Sequence, residues 1–437
     1  MSEAAAAAVQ GSRQRTMWLA TLGFFGGFAG VAVFGPMVPD FVNAIGLSPL
    51  QAGFLASIPN LTGSLLRIPF GAWVDRVGGR LPFTILLSLT LLGMAGLLFV
   101  LWRFYPDNME GLYFVLLGLG AFIGCGIATF SVGISQVSYW YPQGQQGGPL
   151  GIYAGLGNTG PGLFSWVLPA VVAALGILTA YGLWFIGLAV ITVAYAIFVK
   201  DAPSFQLQKQ GVEVNEEQLE EEYGQDLVPS GSTFEGLKNA AVVPSTWALV
   251  YFYFVSFGGF LALTSWLPTY WAQMHSVAST TAGLLTLVFS LLSALIRVPG
   301  GMLSDQISIR YALTGNFALI IVGAAMVAAS AGFYVALAGT ILIAAGMGLQ
   351  NAIVFKLIAY YVPRAVGGAS GWVGGLGAFG GFVVPPIMGA IAGIVAGPAG
   401  YARGFLVIAG LALIGIVVVG WLTNWTWQSD PEQAKGE

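Results

Sequence analysis

The sequence predicts an all-α membrane protein: twelve transmembrane helices in two pseudo-symmetric halves of six. Three observations predict it. Of 437 residues, 57% are hydrophobic and only 8% charged, and mean hydropathy is +0.82; a soluble domain carries about 25% charged residues. Apolar runs of about 20 residues, long enough to cross a hydrocarbon core of about 30 Å, recur along most of the chain. Motifs in the first half return 220 to 230 positions later in the second.

The elements follow in order. Residues 1–16, MSEAAAAAVQGSRQRT, show no cleavage site after their apolar stretch, and the run from Met17 is too long for a signal peptide, so span 1 is expected over 17–39. Spans 2 to 6 are expected near 50–72, 81–102, 111–139, 149–174 and 177–199. Residues 200–243 break the pattern and concentrate acid, including Glu216, Glu217, Glu220, Glu221 and Glu222. They read as a solvated cytoplasmic linker between two six-span halves, either a plain tether or one with a short surface helix. Spans 7 to 12 follow near 245–271, 279–303, 310–330, 333–361, 367–395 and 402–426. The organisation is thus an N-terminal half (1–199), a linker (200–243) and a C-terminal half (244–437). Helices are preferred to barrel strands because lipid offers no partner for backbone N–H and C=O groups, and the runs lack period-2 alternation.

Lysines and arginines set the orientation. With both termini cytoplasmic in a cell membrane, Arg13, Arg15, Arg76, Arg80, Lys200, Lys209, Lys238, Arg310, Arg364 and Lys435 fall inside, and Arg103 and Arg403 outside. Trp102, Trp140, Trp184, Trp271 and Trp425 sit near span ends, where interfacial aromatics are expected. A net charge of -3 gives no support for a nucleic-acid partner. The single Cys125 excludes a disulfide framework or a cysteine metal site, and the lone His275, expected in the loop after span 7, cannot form a triad or metal cluster.

Two stretches resemble a dinucleotide fingerprint. Gly155, Gly157 and Gly160 spell G-x-G-x-x-G, with Gly151 one turn before, and Gly371, Gly375, Gly377 and Gly380 repeat the pattern 220 residues on. A cofactor loop needs a preceding strand and an acidic residue about 20 positions on. Both copies lie instead inside apolar spans, so no cofactor is expected; the glycines read as flat faces on which helices pack closely and shift. A second repeat aligns LLRIPFGAWVDRVGGR (65–80) with LIRVPGGMLSDQISIR (295–310): Arg67 with Arg297, Asp75 with Asp305, and Arg80 with Arg310. Two homologous halves around a midplane site is a transporter architecture.

Charge inside a membrane is costly and marks function by default. No Asp or Glu falls in the expected hydrocarbon core, but Arg67, Arg297 and Lys356 do. The matched arginines read either as partners of backbone carbonyls or, preferably, as a site awaiting an anion, because a guanidinium fork suits a planar oxyanion. Lys356 reads equally as snorkelling to water or as a cavity-facing group able to carry a proton.

GAWVDRVGGR (71–80) matches the loop motif G-x-x-x-D-R-x-G-G-R of the major facilitator superfamily at every defined position, Asp75, Arg76 and Arg80 included. The paired glycine stretches resemble the signatures of one branch, the NarK-type nitrate/nitrite porters. That resemblance implies that Arg67 and Arg297 grip nitrate or nitrite, that Asn158 belongs to the span 5 signature, and that Phe130 and Tyr253, with Phe257 one turn on, sandwich the flat ion. It also implies alternating access. The second half departs at Gln306, opposite Arg76, and at Ala378, opposite Asn158, so Asn158 is a candidate discriminator between the anions. Exchange of nitrate for nitrite is favoured over nitrate–proton symport through Lys356. An exporter of organic solutes or an anion receptor is the rival class; no enzyme is expected, and the chain is expected to act as a monomer.

Overall fold

The structure, a computed structural model, describes residues 9–212, 216–225, 233–297, 299–300 and 307–429. Asp305, Gln306 and Lys435 lie outside these. The described residues form helices in the expected order, with no strand among them. Among the described residues, ten helices are long and apolar enough to cross a membrane, from Arg13–Ile45 to Ala399–Asn424.

Spans 2 and 8 fall outside that ten for the same reason. Span 2 divides into Pro49–Leu65 and Arg67–Val77, and span 8 runs Ser279–Leu295 before a turn at Ile296. A proline inside a helix removes the hydrogen bond to the carbonyl four residues back. Pro69 therefore frees the carbonyl of Leu65, and Pro299 that of Leu295, the residues at which the two helices stop. Beyond each break the helix resumes, Phe70 donating to Leu66 O at 3.1 Å and Gly300 to Ile296 O at 2.9 Å. Each embedded arginine is the first residue after its break.

Other spans change winding at mid-length. Span 1 tightens into 3-10 turns at Ala29–Ala32 and Gly35–Met37, and span 4 does so at Cys125–Ala128. Spans 7 and 11 widen into π turns at Phe254–Gly258 and Val373–Gly377. Such bulges occur frequently at functional sites.

At the end remote from the N terminus, spans 2 and 11 meet backbone to backbone where Gly389 lies against Pro49, and spans 5 and 8 where Gly283 lies against Ser165. Only glycine permits either approach. At the other end Gly151 and Gly155 have no described neighbour within 4 Å. A cavity of about 630 Å³, lined by Ile68, Trp73, Arg76, Leu237, Lys238 and Trp372, opens between span 2, span 11 and the linker helix Thr233–Ala241, beside the contact of Gly375 with Ile68. The described residues thus pack backbone to backbone at the end remote from the N terminus and leave a cavity at the other.

Three expectations are corrected. The stretch 200–243 is no plain tether: it carries the helices Pro203–Lys209, Glu216–Tyr223 and Thr233–Ala241. Its first part is docked by Asp201, whose carboxylate accepts from Arg80 N at 2.9 Å and pairs with Lys209 at 2.8 Å. Its last part is docked by Trp372, whose indole donates to Leu237 O at 2.9 Å. Buried Leu237 and the backbone acceptors drive this docking, while Glu220, Glu221 and Glu222 stay exposed. Second, His275 closes the helix Gly259–His275 instead of lying in a loop, half-buried against Tyr270, Trp271 and Phe333. Third, Trp102 is 67% exposed, as an interfacial ring should be, but Trp140, Trp184 and Trp271 are buried in protein contacts.

Candidate functional site

The helix break delivers Arg67 into the bundle, where it is 2% exposed. Its Nη1 donates to the carbonyl of Gly374 at 3.3 Å, a group made available by the π turn of span 11. Its Nε and Nη2 have no partner, and neither does Nε of half-buried Arg297. Among the described residues no carboxylate pairs with either arginine; the ion pair present joins Lys209 to Asp201.

Aromatic rings bring the arginines together. The Arg67 guanidinium carbon stands 4.9 Å from the centre of Phe130 and 5.1 Å from that of Phe257, and Arg297 stands 5.3 Å from Phe257. Phe130 and Phe257 are 6.5 Å apart with planes 28° from parallel. Of the expected rings, Phe257 stands opposite Phe130, and Tyr253 stacks on Phe257 at 4.9 Å. Phe257 lies in the π turn of span 7, and Tyr253 is the last residue of the α-helical segment before it. Phe28 of span 1 stacks on Phe257 at 6.4 Å and 1°.

The other candidates are placed as follows. Asn158 sits at the break of span 5, 3% exposed, with Nδ2 donating back to Ala154 O at 2.6 Å and Oδ1 without a partner. Gly157 and Gly160 pack on Phe24 and Phe25, and Gly371, Gly375, Gly377 and Gly380 on Leu237, Ile68, Tyr253 and Phe254. Among the described residues the close-packed glycine face covers the second part of the first signature, and Gly151 and Gly155 have no neighbour within 4 Å. Lys356 is exposed. Asp75 accepts from Tyr139 at 2.7 Å, Arg80 donates Nε to Ala196 O at 3.1 Å, and Arg76 is exposed. Arg310 begins span 9.

Sequence reasoning missed Phe28, the carbonyl of Gly374 and the buried Asn351 of span 10. A polar amide in an apolar run was a visible signal for Asn351. A main-chain carbonyl carries none.

Chemically, this is a pair of cations, one buried and one half-buried, that no described carboxylate pairs, with unused N–H donors and ring faces around them. Those donors offer hydrogen bonds to an anion in a low-dielectric setting, where charge-assisted bonds are strongest.

Comparison with known proteins places the chain in a family. The model of the Major Facilitator Superfamily matches residues 20–385 and 272–436. The "Probable nitrate/nitrite antiporter NarK1" of Thermus thermophilus is 31% identical over 402 residues, covering 86% of this chain and 84% of that one. The "Nitrite extrusion protein" of Bacillus subtilis is 29% identical over 92% of this chain and 93% of its own. Among solved structures, the xylose transporter XylE from E. coli, in a partially occluded inward-open conformation, superposes with a TM-score of 0.69 at 15% identity. That match covers 93% of this chain and 96% of XylE and speaks to the fold alone. The expected lineage is borne out at both levels: this integral membrane protein belongs to the NarK-type nitrate/nitrite porter family of the major facilitator superfamily.

Proposed function

We propose that the protein carries nitrate and nitrite across the cell membrane by alternating access, exchanging one for the other. Residues 1–199 and 244–437 act as rocking halves joined by the linker 200–243, with both termini cytoplasmic. Arg67 and Arg297 hold the anion, and Phe130 and Phe257 cover its faces, with Tyr253 supporting Phe257. The observation that carries this reading is the pair of arginines over one shared ring, with no carboxylate partner among the described residues. The relatives' names support the choice of anion.

Exchange is favoured over symport on electrostatic grounds. The two ring distances bound the separation of the guanidinium carbons at about 10 Å. At that separation and an effective dielectric of about 20, two like charges repel by at least about 1.6 kcal/mol. Closing the empty cavity meets that repulsion, while closing it around an anion does not. The carrier therefore returns faster loaded than empty.

Labelled-nitrate flux in proteoliposomes tests this. Uptake that requires internal nitrite or nitrate and ignores an imposed proton gradient supports exchange. Uptake into anion-free vesicles driven by an inward proton gradient replaces exchange with symport and makes Lys356→Gln the next variant. No movement of either anion refutes the reading of the arginines.

A further inference from the structure

Two asparagines lie buried in the apolar spans 5 and 10, in different circumstances. Asn158, the residue the signature pattern marks as discriminator, spends its Nδ2 on Ala154 O one turn back in its own helix. Asn351 is 4% exposed, and neither its Oδ1 nor its Nδ2 has a partner. A buried amide unpaired at both ends destabilises a fold, so its retention calls for an occupant.

The helix Phe333–Tyr361 fixes where Asn351 points, because residues three and four apart share a face. Three residues before it, Gly348 packs on span 8, where a Cβ would lie 2.5 Å from Ser293 O. Four residues after it, the Phe355 ring stands edge-on to Tyr253 at 5.1 Å and 89°. Asn351 therefore occupies the corner between spans 7 and 8. Span 8 places Ser293 one turn before Arg297, and Ser293 Oγ and Arg297 Nε are also unpartnered. Span 7 supplies Phe257, the ring beneath Arg297. An amide, a hydroxyl and a guanidinium N–H with unused bonding capacity thus lie on adjoining stretches of spans 10 and 8.

We propose that this corner is a subsite for the third oxygen of nitrate, and that Asn351 is the residue that separates nitrate from nitrite. The proposal rests on the anion-site reading of the arginines. Nitrate is planar with three oxygens; nitrite is bent, with two oxygens and a lone pair on nitrogen. Guanidinium forks and ring faces engage features the two ions share. Asn351 Nδ2–H, backed by the Ser293 hydroxyl, donates to the oxygen that nitrite lacks, while Oδ1 accepts from Arg297 Nε–H and holds the fork in the plane of the ion. A site built to bond a substrate group discriminates against the analogue without it, because its donor is then left unpaired.

The test measures KM for external nitrate and for external nitrite separately, in proteoliposomes preloaded with nitrite. Asn351→Leu keeps the volume and removes both bonding groups; its nitrate KM rises roughly tenfold relative to its nitrite KM. Asn351→Ser retains a shorter donor and falls between Leu and wild type. Melting temperatures of the purified variants report folding, and the Ser variant supplies the ratio if the Leu variant does not fold. An unchanged ratio of the two KM values, or an equal loss for both ions, overturns the proposal. Failure of the anion-site reading is recognised earlier, in wild-type vesicles that move neither ion.

Discussion

Replacing Arg67 by methionine distinguishes a binding arginine from a structural one. The guanidinium is 2% exposed, makes one hydrogen bond, to Gly374 O, and leaves Nε and Nη2 unpaired. Each unmet buried donor costs about 1–3 kcal/mol, and the bond that is lost contributes about 1.5 kcal/mol. Ring contacts with Phe130 and Phe257 contribute about 1 kcal/mol, and repulsion from Arg297 takes away at least about 1.6 kcal/mol. Methionine fills similar space, so Arg67→Met is expected to stabilise the anion-free protein by about 1–5 kcal/mol, a span that overlaps the one known for apolar replacement of buried ionic groups. With an unfolding entropy of about 2.1 cal/mol/K per residue, that is a rise in Tm of about 1–6 °C for 437 residues. Nitrate at a hundred times its Kd adds about 2.7 kcal/mol to the wild type, or about 3 °C, and nothing to the variant. Thermal scanning of both purified proteins with and without nitrate is the assay. A variant that melts several degrees below wild type and still gains Tm from nitrate refutes the argument and makes Arg67 a structural group.

Three further outcomes are expected. Phe257→Ala removes the ring shared by both arginines, and the KM for either anion rises about tenfold, since each cation–π contact is worth about 0.5–2 kcal/mol; an unchanged KM in vesicle uptake counts against the ring's role. Pro69→Ala returns a hydrogen bond to Leu65 O and makes span 2 continuous, so thermal stability rises by about 1–3 kcal/mol while exchange slows; equal activity with higher Tm shows the break to be dispensable. Gly283→Leu drives a side chain into the Ser165 backbone and holds that end of the bundle apart, so a cysteine placed at Ser290, which Gly162 covers, reacts quickly with an impermeant thiol reagent; slow labelling, as in the glycine parent, contradicts the seal.

Hydropathy and two prolines carry much of the fold by themselves. Lipid leaves each backbone group only its own helix to bond with, so span number and order follow from one-dimensional burial. Pro69 and Pro299 place the breaks that present Arg67 and Arg297, and the absence of acid from the expected core marks those arginines as unpaired. Tertiary structure decided the partners. Phe257, inside the π turn of span 7, stands opposite Phe130, with Tyr253 stacked behind it. Arg67 met a carbonyl 307 residues away, Leu237 docked the last part of the linker on Trp372, and one asparagine folded onto its own helix while Asn351 was left open. The physical reason is common to all of these. Spans that are hydrophobic on every side do not encode their rotation about their own axes, so only packing against neighbouring helices determines which side chains converge.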